Sequence, residues 1–239
     1  MKHSRVFLSA IISLLVAYSS SAFAQDNDTL LTYRVDPKKQ ELKLYWRNTK
    51  GQNFGSLQNL KTAVESNKQQ LLFAMNGGMY KPDDTPVGLY IENGKTLSPL
   101  DTGTANGNFY LKPNGVFYIT KNNTAAVCTT PNFKDNGQIK YATQSGPMLV
   151  INGEIHPALK ESSPNKNIRN GVGILPDGSV LFVLSKQPVN FYDLANYFKQ
   201  QGCKNALYLD GFVSRAYLPG KNWVQLDGEF GVMIGVARK

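Results

Sequence analysis

The segment Leu207-Tyr208-Leu209-Asp210-Gly211-Phe212-Val213-Ser214-Arg215 puts a carboxylate at the end of a strongly apolar run. A carboxylate there is costly unless it is paired, hydrogen-bonded or used, so Asp210 is the first candidate for a catalytic group. Ser214 and Arg215 lie close enough in the chain to complete a polar cluster around it. Leu71 to Met75 is a second apolar run, and it ends in Asn76-Gly77-Gly78-Met79-Tyr80. Gly77 and Gly78 lack a Cβ, which would let a ligand or another backbone approach their N–H groups. Ser145-Gly146-Pro147 opens a third apolar stretch and could offer a hydroxyl and bare N–H groups. Ser145 is a poor acyl-transfer nucleophile, because no Gly-x-Ser-x-Gly elbow surrounds it. Arg169 precedes a fourth buried run and could hold an anion. Each segment also reads as ordinary turn or surface chemistry: an Asx-turn at Asn76, a capping Asp210, a surface Arg169. The recurrence of polar groups at the ends of buried strands is what suggests a common pocket rim.

The elements that would position these groups are mostly strands. Asn-Gly or Asp-Gly dipeptides recur along the chain and suit tight hairpin turns. Between them lie β-prone runs at Leu30–Val35, Leu42–Trp46, Val87–Ile91, Phe109–Leu111, Val116–Thr120, Val172–Leu175 and Val180–Leu184. Two segments break that rhythm. Leu57, Leu60 and Val64 fall at helical spacing after a possible Ser56 cap. Phe191, Leu194, Ala195 and Phe198 make one apolar stripe between a capping Asn190 and Gly202. The expected fold class is α+β: one domain with a large, mostly antiparallel or mixed sheet core and a few packed helices.

Composition narrows the function classes. Hydrophobic residues make up 41% and charged residues 18%, which excludes global disorder. Residues 1–24 read as a signal peptide, with basic Lys2 and Arg5, an apolar Val6–Ala17 and the small-x-small site Ala22-Phe23-Ala24. Residues 25–239 would then be the exported domain, and the periplasm its expected location. Beyond the N-terminus no apolar run approaches a spanning helix. Losing Lys2 and Arg5 leaves 24 of the 26 basic residues against 17 acidic ones. They are scattered, so nucleic-acid binding is a poor fit, whereas a mild positive field could favour an anionic ligand. Cys128 and Cys203 could form one disulfide or remain two buried thiols. His156 is the only histidine after the signal and no Cys-x-x-Cys occurs, which argues against zinc. No cofactor is implied. Asp210 and Asn76 offer hard oxygens suited to Ca²⁺ or Mg²⁺, but no ligand spacing makes either specific.

Taken together, the segments resemble the phosphodiester glycosidase family over roughly Leu71 to Val236. Asn76-Gly77-Gly78-Met79-Tyr80 looks like its Asn-Gly-Gly-aromatic block, and Ser145-Gly146-Pro147-Met148-Leu149-Val150 like its Ser-Gly-Pro-x-Leu block. Arg169 to Ile174 resembles its Arg-Thr-Ala-x-Gly block, with Asn170 and Gly171 in place of Thr and Ala. The helix running into Leu209-Asp210-Gly211 resembles the last block, where Phe212 and Val213 replace two glycines and Ser214 keeps the serine. The resemblance implies cleavage of a sugar 1-phosphodiester at the anomeric C–O bond. The phosphate monoester leaves readily as an anion, so one carboxylate with cationic and N–H groups could suffice where ordinary glycosides need two carboxyl groups. Asp210 would act at the anomeric centre, Arg169 with Arg215 would hold phosphate, and Asn76, Gly77, Gly78, Ser145 and Gly146 would orient the substrate. The substrate would be a small molecule or an envelope glycan phosphodiester. The replaced glycines leave a second expectation open, a non-catalytic glycan- or phosphosugar-binding protein, and a third, an envelope scaffold.

Overall fold

The computed structural model describes residues 29–210 and 213–239. The signal-like segment, Gly211 and Phe212 lie outside the described residues. The described strands form three sheets, and every pairing within them is antiparallel. The six-stranded sheet runs in the order β1 (Leu30–Val35), β12 (Val180–Ser185), β11 (Asn170–Ile174), β13 (Ala206–Tyr208), β9 (Met148–Ile151) and β10 (Glu154–Ile155). A five-stranded sheet runs β15 (Trp223–Val224), β14 (Ala216–Leu218), β3 (Gln70–Gly78), β16 (Val232–Arg238) and β2 (Glu41–Tyr45). The other runs β5 (Lys95–Ser98), β4 (Tyr90–Glu92), β8 (Ile139–Ser145), β6 (Gly115–Thr120) and β7 (Ala125–Thr129). The fold is therefore α+β, with its strand content divided among three sheets.

One core is shared by all three. Phe182, Leu184 and Leu207 come from the first sheet, Phe73, Met75 and Ile234 from the second, and Phe117, Ile119 and Tyr141 from the third. Phe182 meets both Phe73 and Phe117, at ring-centroid distances of 5.2 and 6.0 Å, so a single aromatic side chain touches all three layers. The opposite faces of the first two sheets need cover, which the two helices supply. Helix α1 (Leu57–Ser66) is capped by Ser56, whose hydroxyl accepts from Asn59 N–H at 3.2 Å, and it buries Leu57, Leu60 and Val64 against the second sheet. Helix α2 (Phe191–Gln200) is capped by Asn190 and buries Phe191, Leu194, Ala195 and Phe198 against the first. Both helices coincide with the apolar spacing that signalled them.

The turn reading holds only in part. Asn93-Gly94 and Asn152-Gly153 both have positive φ at each residue, as tight hairpin turns demand. Asn76-Gly77 and Asn170-Gly171 do not turn; they run inside β3 and β11. The run Val87–Ile91 becomes a strand only at Tyr90, because Gly88 takes φ +72° and a Cβ there would meet Gln144 Oε1 at 2.3 Å. Phe109–Leu111 is no strand either: Asn108–Tyr110 forms a 3₁₀ turn that buries Phe109. Both cysteines are free thiols, Cys128 partly and Cys203 fully buried, and burial pushes them up to about 11 and about 12.

Helix α2 sits so close to its sheet that a Cβ on Gly173 would fall 2.7 Å from Phe198 and 2.8 Å from the Cys203 sulfur. Gly173→Ala should therefore destabilise the fold by about 1–3 kcal/mol, read as a lower urea midpoint with an unchanged slope. His156 supplies a second check. Its buried ring donates Nε2–H to the Lys112 carbonyl at 2.9 Å and accepts Ala158 N–H at Nδ1 at 3.1 Å, so it is held neutral. Burial lowers its pKa below the ordinary 6.5, and the unfolded chain therefore takes up the proton first. Stability should fall as pH drops below about 6.5, and His156→Gln, neutral throughout, should lose less between about pH 7 and 5.

Candidate functional site

The strand β13 delivers the chain to Asp210, and the main chain there is held from all three sheets. Asn170, at the start of β11, accepts Leu209 N–H at its carbonyl (3.3 Å) and Asp210 N–H at its side-chain Oδ1 (2.9 Å). Asn76, inside β3, donates Nδ2–H to the Asp210 carbonyl at 2.8 Å, and Ser214 Oγ donates to the same carbonyl at 2.9 Å. Ser145, at the end of β8, donates its hydroxyl to the Leu209 carbonyl. The two amides also bind each other: Asn170 Nδ2 lies 3.0 Å from both the carbonyl and Oδ1 of Asn76. Arg215 N–H completes the set, donating to Asn76 Oδ1 at 3.1 Å. Asn76, Ser145, Asn170 and Ser214 are all buried, so these bonds form away from competing water.

Five of the residues singled out in the sequence thus meet: Asn76, Ser145, Asp210, Ser214 and Arg215. The side chains of Asn76, Ser145 and Ser214 act on main chain. The Asn76 amide and the Ser145 hydroxyl are committed to internal partners, which gives them the geometry of positioning groups. Gly77, Gly78 and Gly146 have internal reasons as well. A Cβ on Gly77 would meet the Ile234 side chain at 2.7 Å, on Gly78 Thr143 Oγ1 at 2.5 Å, and on Gly146 the Phe109 carbonyl at 2.7 Å. Close approach of protein to protein explains these glycines without a ligand. Asn76 Oδ1 is already bonded to Asn170 Nδ2 and Arg215 N–H, so it is spent on internal donors. Among the described residues no three His, Cys, Asp or Glu side chains are grouped to hold a metal.

Arg169 goes elsewhere. It is 1% exposed, and its guanidinium lies 3.6 Å from the ring centroid of Phe191. Nε donates to the Val189 carbonyl at 2.9 Å, one terminal nitrogen to Tyr208 Oη at 3.3 Å, and the other to the carbonyl and side chain of Asn165 at 2.9 and 3.1 Å. Burial lowers its pKa, opposed by Tyr208, and every partner is a neutral oxygen. In this position Arg169 ties the segment around Asn165 to the sheet beneath Asp210.

Arg215 is the accessible cation. Nε is bonded to both oxygens of Asp227, at 3.2 and 3.1 Å, and a terminal nitrogen to the Ser214 carbonyl at 3.0 Å. It lines a cavity of about 410 Å³ together with Tyr80, Val213, Gly228, Glu229 and Phe230. The Tyr80 hydroxyl donates to the Glu229 carbonyl. Burial raises the Tyr80 phenol to about 12, assisted by the negative charges of Asp210, Asp84 and Glu229. Half-buried Asp210 is not part of this lining; its main chain is joined to it through Ser214 and through Asn76, which also holds Arg215 N–H, and its charge acts on Tyr80. Asn170, Tyr80 and Glu229 escaped the sequence reading as site residues. Asn170 carried a signal, an Asn-Gly pair opening a β-prone run. Tyr80 closed the Asn-Gly-Gly block, and Glu229 had no sequence signal.

A phosphodiester glycosidase model matches residues 69–236. A relative from Escherichia coli (strain K12), the uncharacterized protein YigE, is 38% identical over 238 residues, covering 98% of this chain and 93% of the relative. The catalytic domain of zebrafish N-acetylglucosamine-1-phosphodiester alpha-N-acetylglucosaminidase, a structure auto-inhibited by its pro-peptide, superposes with a TM-score of 0.59 at 15% identity, over 90% of this chain and 85% of that one. A Synechocystis protein superposes with a TM-score of 0.53 at 14% identity, over 88% of this chain and 59% of that one. The chain belongs to the phosphodiester glycosidase family. The resemblance carried by its four blocks is thus a family membership, and the distant structures share its fold.

The amide pair should dominate local stability. Asn76→Ala would leave the Asp210 carbonyl, Arg215 N–H and Asn170 Nδ2 short of partners, and a loss of about 3 kcal/mol or more is expected in chemical denaturation.

Proposed function

We propose that this chain is an exported hydrolase that cleaves a sugar 1-phosphodiester, or a related envelope glycan phosphodiester, at the anomeric bond. One observation carries the reading: the main chain of Asp210 is locked by Asn76, Asn170 and Ser214, and the same Asn76 side chain holds the main chain of Arg215, which lines a cavity. Electrostatic catalysis needs groups that do not reorganise during reaction, and a strand end bonded from three sheets meets that need. Family membership supports a glycan phosphodiester as the substrate class.

In the proposed reaction, water adds its oxygen to the anomeric carbon. The bond from that carbon to the phosphate oxygen breaks, and its electron pair stays on the phosphate. Asp210 stabilises positive charge developing on the ring or takes the proton of the attacking water. Arg215 neutralises the departing monoester, which needs no strong acid because it is stable as an anion. Asn76, Asn170 and Ser145 position the carboxylate, and Arg169 is bonded to Tyr208 on the strand that leads to it. The N-terminal pattern of residues 1–24 supports export, and we place the mature protein in the periplasm. No helix among the described residues is long and apolar enough to cross a membrane.

Val213 favours a second reading. It stands where the family pattern has glycine, and it lines the cavity while packing on the cluster around Tyr217 and Phe230. A narrowed cavity would suit a protein that binds a phosphosugar without cleaving it. Single-turnover hydrolysis of an aryl or sugar phosphodiester separates the two. Wild type should release product and Asp210→Asn should lose about 10³-fold or more in rate while staying folded. Full activity in that variant removes the mechanism, and saturable binding with no product selects the binding reading.

A further inference from the structure

The cavity that Arg215 lines is built for one half of such a substrate rather than the whole. Its lining joins two aromatic residues, Tyr80 and Phe230, to Glu229, an exposed residue whose charge acts on Tyr80. Arg215 is the cation of that lining, and its Nε is already bonded to Asp227. Asp84 and Asp210 add negative charge close enough to act on Tyr80. Acidic groups therefore outnumber cations around the Tyr80 side. A phosphate placed there would meet carboxylates at short range, where the low dielectric of a cleft strengthens repulsion. A pyranose ring meets complementary chemistry: its hydroxyls are donors for a carboxylate, and its C–H face packs on an aromatic ring. At about 410 Å³ the cavity is in the range that holds a small ligand.

We infer that the Tyr80–Glu229 wall is a subsite for the uncharged sugar ring, with Glu229 accepting from ring hydroxyls, and that the phosphate lies outside it toward Arg215. Glu229 is thereby a specificity-determining residue and Tyr80 the platform that places it, since the phenol holds the Glu229 main chain. Val213, on the same lining, limits the bulk of ring substituents. This assignment rests on the proposed sugar phosphodiester reading and goes further, fixing which end of the substrate enters the cavity.

The test is ligand binding to the full mature chain by saturation-transfer NMR. The probes are methyl α-glucopyranoside, methyl α-mannopyranoside, the methyl α-glycoside of N-acetylglucosamine, and inorganic phosphate. At least one glycoside should bind wild type, and Glu229→Gln should weaken it about tenfold, the value of one charge-assisted hydrogen bond. Phosphate affinity should stay within about twofold, since phosphate binds away from Glu229. Tyr80→Phe, which frees the Glu229 main chain but keeps the ring, should weaken the same glycoside without altering phosphate. Thermal melts establish that both variants are folded; Glu229 is exposed and its replacement removes no core contact. The inference is overturned if no glycoside binds, if Glu229→Gln leaves glycoside binding unchanged, or if it tightens phosphate, which would put the anion against the Tyr80–Glu229 wall. Loss of hydrolysis in Asp210→Asn with no effect of Glu229→Gln would sink the subsite alone. Glycoside binding that depends on Glu229 with no hydrolysis by wild type would sink the reaction alone.

Discussion

Two asparagine side chains facing each other across a sheet junction hold the candidate site together. Asn76 and Asn170 spend their amides on one another and on the main chain of Asp210 and Arg215. An amide is suited to this because it donates and accepts at once, so one buried side chain can close several main-chain vacancies without carrying charge. The chain after β13 leaves its sheet at Leu209, and its peptide groups would otherwise be buried without ladder partners. Asparagines from two sheets and a serine from the third replace those missing partners. The cost of undoing any one of them is therefore shared by the three sheets, and the carboxylate of Asp210 inherits their rigidity.

Charge is distributed along the same logic. The guanidinium of Arg169 is removed from water against Phe191 and compensated by neutral oxygens. Such a cation is stabilised by ring quadrupole and hydrogen bonds, and it keeps its geometry because five donors fix a planar fork. Arg215, by contrast, stays at the cavity wall with a carboxylate partner in Asp227. One arginine is structural in its contacts and the other remains near solvent, although both were plausible anion ligands from residue type alone. The glycines follow a similar division. Those next to Asn76 and Ser145 make room for Ile234, Thr143 and the Phe109 carbonyl, and the approach of Gly78 to Thr143 joins two of the sheets.

Much of the fold was legible because its signals are local. Phe191, Leu194, Ala195 and Phe198 sit at helical spacing behind a capping Asn190, and each physical requirement of a short amphipathic helix is met within twelve residues. The strands at Leu30–Val35 and Val180–Ser185 likewise stand out as β-prone runs between turn residues. Misreadings arose where a local signal had a distant cause. Asn76-Gly77 and Asn170-Gly171 have the composition of hairpin turns, yet the amides are needed by Asp210 more than a hundred and by forty residues away. Phe109 looks like a strand residue and is buried, but it folds into a 3₁₀ turn between Gly107 and the Pro113 corner.

The amino-acid order by itself determined both helices, several of the strands, the α+β class, the family and the set of polar groups from which a site could be drawn, since periodicity, caps and motif blocks are properties of neighbouring residues. The fold in three dimensions decided which of those groups touch main chain and which face the cavity. It turned Arg169 inward, left Arg215 at the wall, and brought in Tyr80 and Glu229, because side-chain direction and long-range hydrogen bonding depend on how three sheets meet rather than on any stretch of sequence.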